Sequence, residues 1–248
     1  MLAIIGGSGL SQLANLHITR RQVLRTPYGE PSSPATFGVL GGVEIVFMAR
    51  HGYGHTLAPH EINYRANVWA LRELGAREVI AVNSVGGIAA HLGPGTLVVP
   101  DNLIDYTSGR PLTFFEGADQ PVTHVDFTWP FSGPVRSALL QAGAEAGLAI
   151  HDGGVYATTN GPRLESAAEI NRLERDGAAM VGMTGMPEAV LARELDLPYA
   201  MLALAVNWAA GRGDSAEQIM LSEITEILDQ GMVRVRRIIE QRASQLAS

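Results

Sequence analysis

The sequence predicts an α/β protein of one domain, with a mixed, largely parallel central sheet flanked by helices. Two observations predict it: short Val- and Ile-rich runs recur along the 248 residues, and stretches of helical period lie between several of them. A third, the lack of any internal repeat or linker-like stretch, makes residues 1–248 a single domain.

The expected strands are Leu2–Ile5, Val43–Ala49, Glu78–Asn83, Thr96–Pro100, Gly154–Thr158, Ala178–Met183 and Tyr199–Val206. From Glu61 to Leu74, Ile62, Ala66, Trp69, Ala70 and Leu74 form one apolar stripe, and Gly75 ends that helix. Ser132 as N-cap and Pro134 in the first turn open a second helix, with Val135, Leu139 and Leu140 inward. A third runs from near Glu165 to Gly177, and a fourth starts at Pro187. The last spans about Glu217 to Gln245, with Ile224, Ile227, Leu228, Val235, Ile238 and Ile239 at helical spacing. The loop from about Tyr106 to Pro130 is too long for a simple connector and reads as an oligomer contact or a lid.

Composition narrows the function. No cysteine is present, which removes disulfides, thiolate metal sites and a cysteine nucleophile. The start M-L-A-I-I-G-G-S-G-L reads as neither signal peptide nor membrane span, so the expectation is a cytoplasmic protein with no membrane partner. A net charge of −7, with no run of Lys or Arg longer than two, argues against a nucleic-acid groove. Any anionic ligand must therefore be small and locally held. The 28 glycines exceed the roughly 7% of average usage, which points to many backbone positions with special dihedrals.

Polar residues and glycines recur where apolar strands end. Gly6-Gly7-Ser8-Gly9 follows the first strand, where open α/β sheets bind ligands, and exposed N–H groups with the Ser8 hydroxyl can hold a phosphate oxygen. It is not a dinucleotide fingerprint, because the third glycine of G-x-G-x-x-G would fall on Gln12, and no Walker-type phosphate loop occurs anywhere. Arg50-His51-Gly52 ends the second long strand, with an arginine fork suited to an oxyanion. Metal is the rival reading for His51 and His55, but two intervening glycines disfavour a shared helix face and no third ligand is evident. Asn83-Ser84-Val85-Gly86-Gly87, Met183-Thr184-Gly185 and Asn207-Trp208-Ala209 repeat the pattern. Each has a plain reading as turn or cap, yet together they offer one anion site.

In this order and at these spacings, G-G-S-G-L, A-R-H-G, H-E-I-N-Y-R-A-N-V-W-A-L, G-P-R-L-E-S and M-T-G-M-P-E-A-V-L-A resemble the nucleoside phosphorylase family, which includes purine nucleoside and methylthioadenosine phosphorylases. The resemblance runs from Ile4 to about Gly211. It implies the nucleoside phosphorylase fold and phosphorolysis, in which inorganic phosphate, as co-substrate and with no metal or organic cofactor, displaces a purine from C1′ of a nucleoside. By position, Ser8, Arg50, His51, Ser84 and Thr184 would bind phosphate, helped by the Val85 N–H, and Met183 would pack beneath the ribose. The catalytic set expected is Asn207, Glu165 and His51.

The base end departs from the methylthioadenosine enzymes, which resemble D-Y-D where this chain has Asn207-Trp208-Ala209. An amide offers an acceptor and two donors, so Asn207 can donate to a 6-oxo oxygen and accept from N7–H. Glu165, where enzymes acting on 6-oxopurines carry glutamate, would accept from N1–H. Both favour hypoxanthine or guanine over adenine. At the sugar end, Ile219, Met220 and Leu221 replace the histidine that ordinary purine nucleoside phosphorylases place near the 5′-hydroxyl, and an apolar wall favours a 5′-methylthio group, since a buried unpaired hydroxyl costs about 1–3 kcal/mol. The expected substrate is 5′-methylthioinosine. Inosine or guanosine, and methylthioadenosine, are the alternatives within the class; a catalytically idle member of the fold is the alternative outside it. The resemblance further implies a homotrimer in which His124 reaches a neighbouring subunit's site.

Overall fold

The computed structural model describes residues 1–10, 13, 15–118 and 120–247. Its elements run β1 (Leu2–Gly6), β2 (His17–Gln22), β3 (Ala35–Leu40), β4 (Val43–Ala49), α1 (Tyr64–Glu73), β5 (Glu78–Gly87), β6 (Leu97–Val99), β7 (Asn102–Asp105), α2 (Gly133–Glu145), β8 (His151–Asp152), β9 (Val155–Thr158), α3 (Ala167–Arg175), β10 (Ala178–Gly182), α4 (Glu188–Glu194), β11 (Tyr199–Trp208) and α5 (Leu221–Gln245). All eleven strands join one sheet, in the order β2-β3-β4-β1-β5-β10-β9-β7, with β11 also on β5, and β6 and β8 beyond it. Pairing is parallel for β1 with β4 and β5, β11 with β5, β9 with β7 and β10, and β6 with β8. It is antiparallel through β2-β3-β4, and where β10 meets β5 and β6 meets β11. The sheet is thus mixed and largely parallel, as the alternation of strands and helices predicts.

The central strands bury both faces, which is why they read as unbroken apolar runs. Along β1, Ala3 and Ile5 face the cluster that α1 and α4 cover, while Leu2 and Ile4 face the cluster that α2 and α5 cover. β11 divides the same way, with Met201, Ala203 and Ala205 on one side and Leu202, Leu204 and Val206 on the other. A smaller cluster, around Ile170 and Leu173, seats α3 on β9 and β10. Among the described residues no helix is long and apolar enough to cross a membrane.

Several boundaries differ from those predicted. α1 begins at Tyr64 rather than Glu61, because Asn63 caps it by accepting from the Ala66 N–H at 3.1 Å. α3 begins two residues after Glu165, on a capping box between Ser166 and Glu169. Ser132 does precede α2, but its side chain makes no capping hydrogen bond. Thr184 does not cap the fourth helix, which starts at Glu188 after Pro187. α5 starts at Leu221, not Glu217, behind a 3-10 turn at Gly213–Ser215.

The loop after β7 is tied down at several points. Asn160 exchanges hydrogen bonds with Ser108, the Thr113 hydroxyl and Phe114 N–H donate to Glu194, and Arg65 pairs with Glu116. Arg110, from the same loop, reaches the interior.

Candidate active site

A cavity of about 440 Å³ opens at the carboxyl ends of β1, β4, β5 and β11, within the roughly 300–1,000 Å³ typical of small-molecule sites. Each strand delivers at least one polar group to its wall.

Gly7 and Ser8 follow β1. A Cβ on Gly7 would stand 2.5 Å from the Val82 carbonyl oxygen and 2.8 Å from Arg50 Nη1, so only glycine lets the turn lie this close to its neighbours. Arg50 follows β4, its N–H bonded to the Gly6 carbonyl at 2.9 Å. Its guanidinium is fully buried and does not present a free fork: Nε and Nη2 donate to the two oxygens of Glu188 at 2.7 and 2.8 Å, and Nη1 donates to the Val82 carbonyl at 2.9 Å. Burial opposes the charge, but the Glu188 carboxylate more than offsets it and holds Arg50 protonated, its pKa raised. Five N–H groups less these three leaves two for a ligand. Tyr199 donates to the same Glu188 at 2.9 Å.

β5 supplies Asn83, Ser84 and Val85. Asn83 Nδ2 donates to Thr184 Oγ1 at 2.7 Å, so the Thr184 hydroxyl keeps its own proton to donate. The hydroxyls of Ser8 and Ser84 have no protein partner among the described residues. Three hydroxyls and two guanidinium N–H groups thus converge beside β1, an arrangement that binds a small tetrahedral anion.

His51 contributes differently from the expected donor. Its Nδ1 lies 2.8 Å from the Leu57 carbonyl oxygen, which can only accept, so Nδ1 carries the proton of the neutral ring and Nε2 is an acceptor. Burial, then the nearby Arg50 charge, lowers its pKa to about 4. His55 stacks on it with ring centroids 4.2 Å apart. Above pH 6.5 the ring is neutral folded or unfolded. As pH falls from there to about 4, only the unfolded chain takes the proton, and the folded state loses stability. Denaturant midpoints at pH 7 and 4.5 should show a smaller acid loss in His51→Gln than in the parent; equal losses would remove His51 as the source. Among the described residues no three His, Asp or Glu side chains are grouped to hold a metal ion.

The same cavity is also lined by Glu165 and Leu164 from the turn after β9, Met183 after β10, Asn207, Ala209 and Ala210 at and after the end of β11, and Ile219 and Ile224. The register of β11 on β5 slips between Ala205, opposite Val85, and Asn207, opposite Gly86, so a bulge at Val206 sets the direction of Asn207. Asn207 Nδ2 spends one hydrogen on the Trp208 carbonyl at 2.6 Å, which leaves Oδ1 and the second Nδ2 hydrogen. Glu165 Oε1 accepts from the Thr159 hydroxyl at 2.6 Å.

Of the residues singled out by sequence, Ser8, Arg50, His51, Ser84, Val85, Glu165, Met183, Thr184, Asn207, Ala209 and Ile219 line this one cavity. Four do not. Trp208, next to Asn207 in the strand, points the other way and packs its indole between Gly93 and Gly213, where a Cβ would stand 2.8 and 2.5 Å from it. Met220 and Leu221 are 47% and 68% exposed, because α5 begins four residues later than expected and leaves them at its rim; Ile224 takes their place in the wall. His124 is exposed in the long loop, away from the cavity of its own chain.

The family model described as the phosphorylase superfamily matches residues 1–242. The chain belongs to the phosphorylase superfamily. Within it, the chain is 54% identical to the "Probable S-methyl-5′-thioinosine phosphorylase" of Pseudomonas syringae pv. tomato, over 94% of each chain. It is 43% identical to the "6-oxopurine nucleoside phosphorylase" of Pyrococcus furiosus, over 96% of this chain and 90% of that one. Among solved structures it resembles a methylthioadenosine phosphorylase from Schistosoma mansoni in complex with adenine, with a TM-score of 0.94 and 31% identity, covering 99% of this chain and 91% of the other. The superfamily fold is therefore the one observed.

The bracing roles of three groups around this site, Asn83, Glu188 and Arg110, are at most partly legible in the sequence. Arg110 is buried without a carboxylate partner among the described residues and donates to the carbonyls of Met183 (2.9 Å), Met186 (2.6 Å) and Asn160 (3.0 Å). It ties the turn that carries Thr184 to the turn that carries Glu165. Glu188 had a partial signal in M-T-G-M-P-E, where an acid in a helix's first turn reads as a response to the helix dipole.

Proposed function

We propose that this chain catalyses the phosphorolysis of 5′-methylthioinosine to hypoxanthine and 5-methylthioribose 1-phosphate. The observation that carries the reading is that one cavity is lined both by Glu165 and Asn207, suited to a 6-oxopurine, and by Ile219 and Ile224, suited to an apolar 5′ substituent. Relatives at 51–54% identity whose names specify S-methyl-5′-thioinosine support it.

Phosphate sits on Ser8, Ser84, Thr184 and the two unshared N–H groups of Arg50, and its remaining P–OH donates to His51 Nε2. As the C1′–N9 bond stretches, the sugar becomes positive at C1′, and the bound phosphate is both its electrostatic partner and its nucleophile. A phosphate oxygen forms the new bond to C1′ as the N9 electron pair leaves with the purine. The departing purine, negative as it takes the N9 electron pair, takes up a proton from water at N7; Asn207 Oδ1 accepts from that N7–H, its free Nδ2 hydrogen donates to O6, and Glu165 accepts from N1–H. Met183 packs beneath the ribose. No protein nucleophile and no cofactor enter this scheme.

Assembly as a homotrimer, with His124 serving a neighbour's site, is part of the same proposal. The long loop supports it by exposing Leu112, Val122 and Trp129 (45%, 82% and 63%), apolar surface suited to a subunit contact.

The test is base release from methylthioinosine, methylthioadenosine, inosine and adenosine in the presence of phosphate. We expect the highest kcat/KM with methylthioinosine. A preference for inosine would support the 6-oxopurine nucleoside reading, which the 43% identical relative favours, and a preference for methylthioadenosine would overturn the assignment of Glu165 and Asn207.

A further inference from the structure

We infer that Thr159 is a positioning residue that sets base specificity, by fixing the Glu165 carboxyl group through one oxygen and leaving the other for the purine. The inference rests on the proposed role of Glu165 at N1–H.

Thr159 immediately follows β9 and is fixed by its backbone on both sides. Its N–H donates to the Gly182 carbonyl at 2.9 Å, and its own carbonyl accepts a longer contact from Arg110 Nη2 at 3.4 Å. The hydroxyl is thereby held in place relative to Met183 and Thr184, which follow Gly182. It has a single proton, and its close acceptor is Glu165 Oε1 at 2.6 Å; the Gly182 carbonyl, at 3.5 Å, is a distant second. At 2.6 Å this contact fixes the rotation of the Glu165 carboxyl group.

The nearest arginine in sequence does not do this work. Arg163 places both Nη groups on Glu169, at 2.8 and 2.7 Å, and also donates to the Leu164 carbonyl. Among the described residues the Thr159 hydroxyl is the one hydrogen-bond donor to Glu165, and Oε2 has none. Glu165 lines the cavity, while Thr159 stands behind it. A carboxylate can only accept. It matches the N1–H of a 6-oxopurine and opposes the N1 lone pair of a 6-aminopurine. Thr159 therefore shapes discrimination without touching the ligand, and nothing in T-T-N-G-P announces it.

The experiment compares Thr159→Val, which keeps shape and loses the hydroxyl, with Thr159→Ser and Glu165→Ala. Each is assayed on methylthioinosine and methylthioadenosine and, separately, with phosphate varied. Thr159→Val should lower kcat/KM for methylthioinosine about tenfold, chiefly through KM, and reduce the methylthioinosine to methylthioadenosine ratio by a similar factor. Its phosphate KM should be unchanged, and Thr159→Ser should recover the parent ratio. If Glu165→Ala loses the ratio while Thr159→Val keeps it, the role of Thr159 is overturned and the base reading stands. If Glu165→Ala itself keeps the parent ratio, the base reading fails and the inference with it. Equal losses on both nucleosides, or a raised phosphate KM in Thr159→Val, would reduce Thr159 to general support of the fold and overturn the inference as well.

Discussion

Replacing Glu188 with alanine is expected to destabilise the protein by about 3–5 kcal/mol, lowering Tm by roughly 6–20 °C. The reason is the partner left behind. Arg50 and Glu188 both have fully buried side chains, and the carboxylate takes two of the guanidinium's hydrogen bonds. Without it a permanent cation would remain in the interior, held only by the Val82 carbonyl. Glu188→Gln should lie between parent and alanine variant, since the amide oxygen retains one acceptor. The double variant Arg50→Met/Glu188→Leu should regain most of the stability, because two apolar side chains remove both desolvation costs at once. On the proposed role of Arg50 in holding phosphate it should nevertheless be inactive, having lost the two unshared N–H groups. Thermal denaturation and phosphorolysis assays on the three variants check this. A Glu188→Ala protein as stable as the parent would show that the pair does not hold the charge of Arg50.

Asn207→Asp is expected to lower kcat/KM for 6-oxopurine nucleosides by roughly 10- to 100-fold, equivalent to about 1–3 kcal/mol, and to raise it for 6-aminopurine nucleosides. An aspartate accepts at N7–H as the amide does, but it cannot donate to O6, and it accepts from a 6-amino group instead. It would also face the Trp208 carbonyl, to which the amide now donates at 2.6 Å, so part of the loss should come from a less ordered side chain. Steady-state kinetics on methylthioinosine and methylthioadenosine decide it. An unchanged ratio would sink the donor and acceptor argument at this position.

Both expectations depend on contacts of very different visibility in the sequence. β1, β4, β5 and β11 are legible because burial on two faces leaves an unbroken apolar run. β2 left no such signal: all six of its residues are exposed, on an edge where Arg20 and Arg21 discourage further pairing. β7 and β8 are four and two residues long, too short for any period to show. The groups facing the ligand were legible for a different reason, since glycines and hydroxyls at strand ends mark where a sheet binds. The groups that hold them were not. Glu188 lies 138 residues from Arg50, and Thr184 lies 101 from Asn83, so only folding brings them together. Trp208 was misplaced for want of the strand's alternation, and Met220 and Leu221 for want of the helix start.

The extra residue in β11 bears on how freely such a site can change. Up to Ala205 the strand is locked to β5 in unbroken register, and Val206 then breaks step before Asn207 is reached. A point change at Asn207 is therefore expected to alter the chemistry of the cavity wall while leaving the pairing of Tyr199–Ala205 untouched. Side chains can be exchanged at this point of the cavity wall without disturbing the part of the sheet that carries the core.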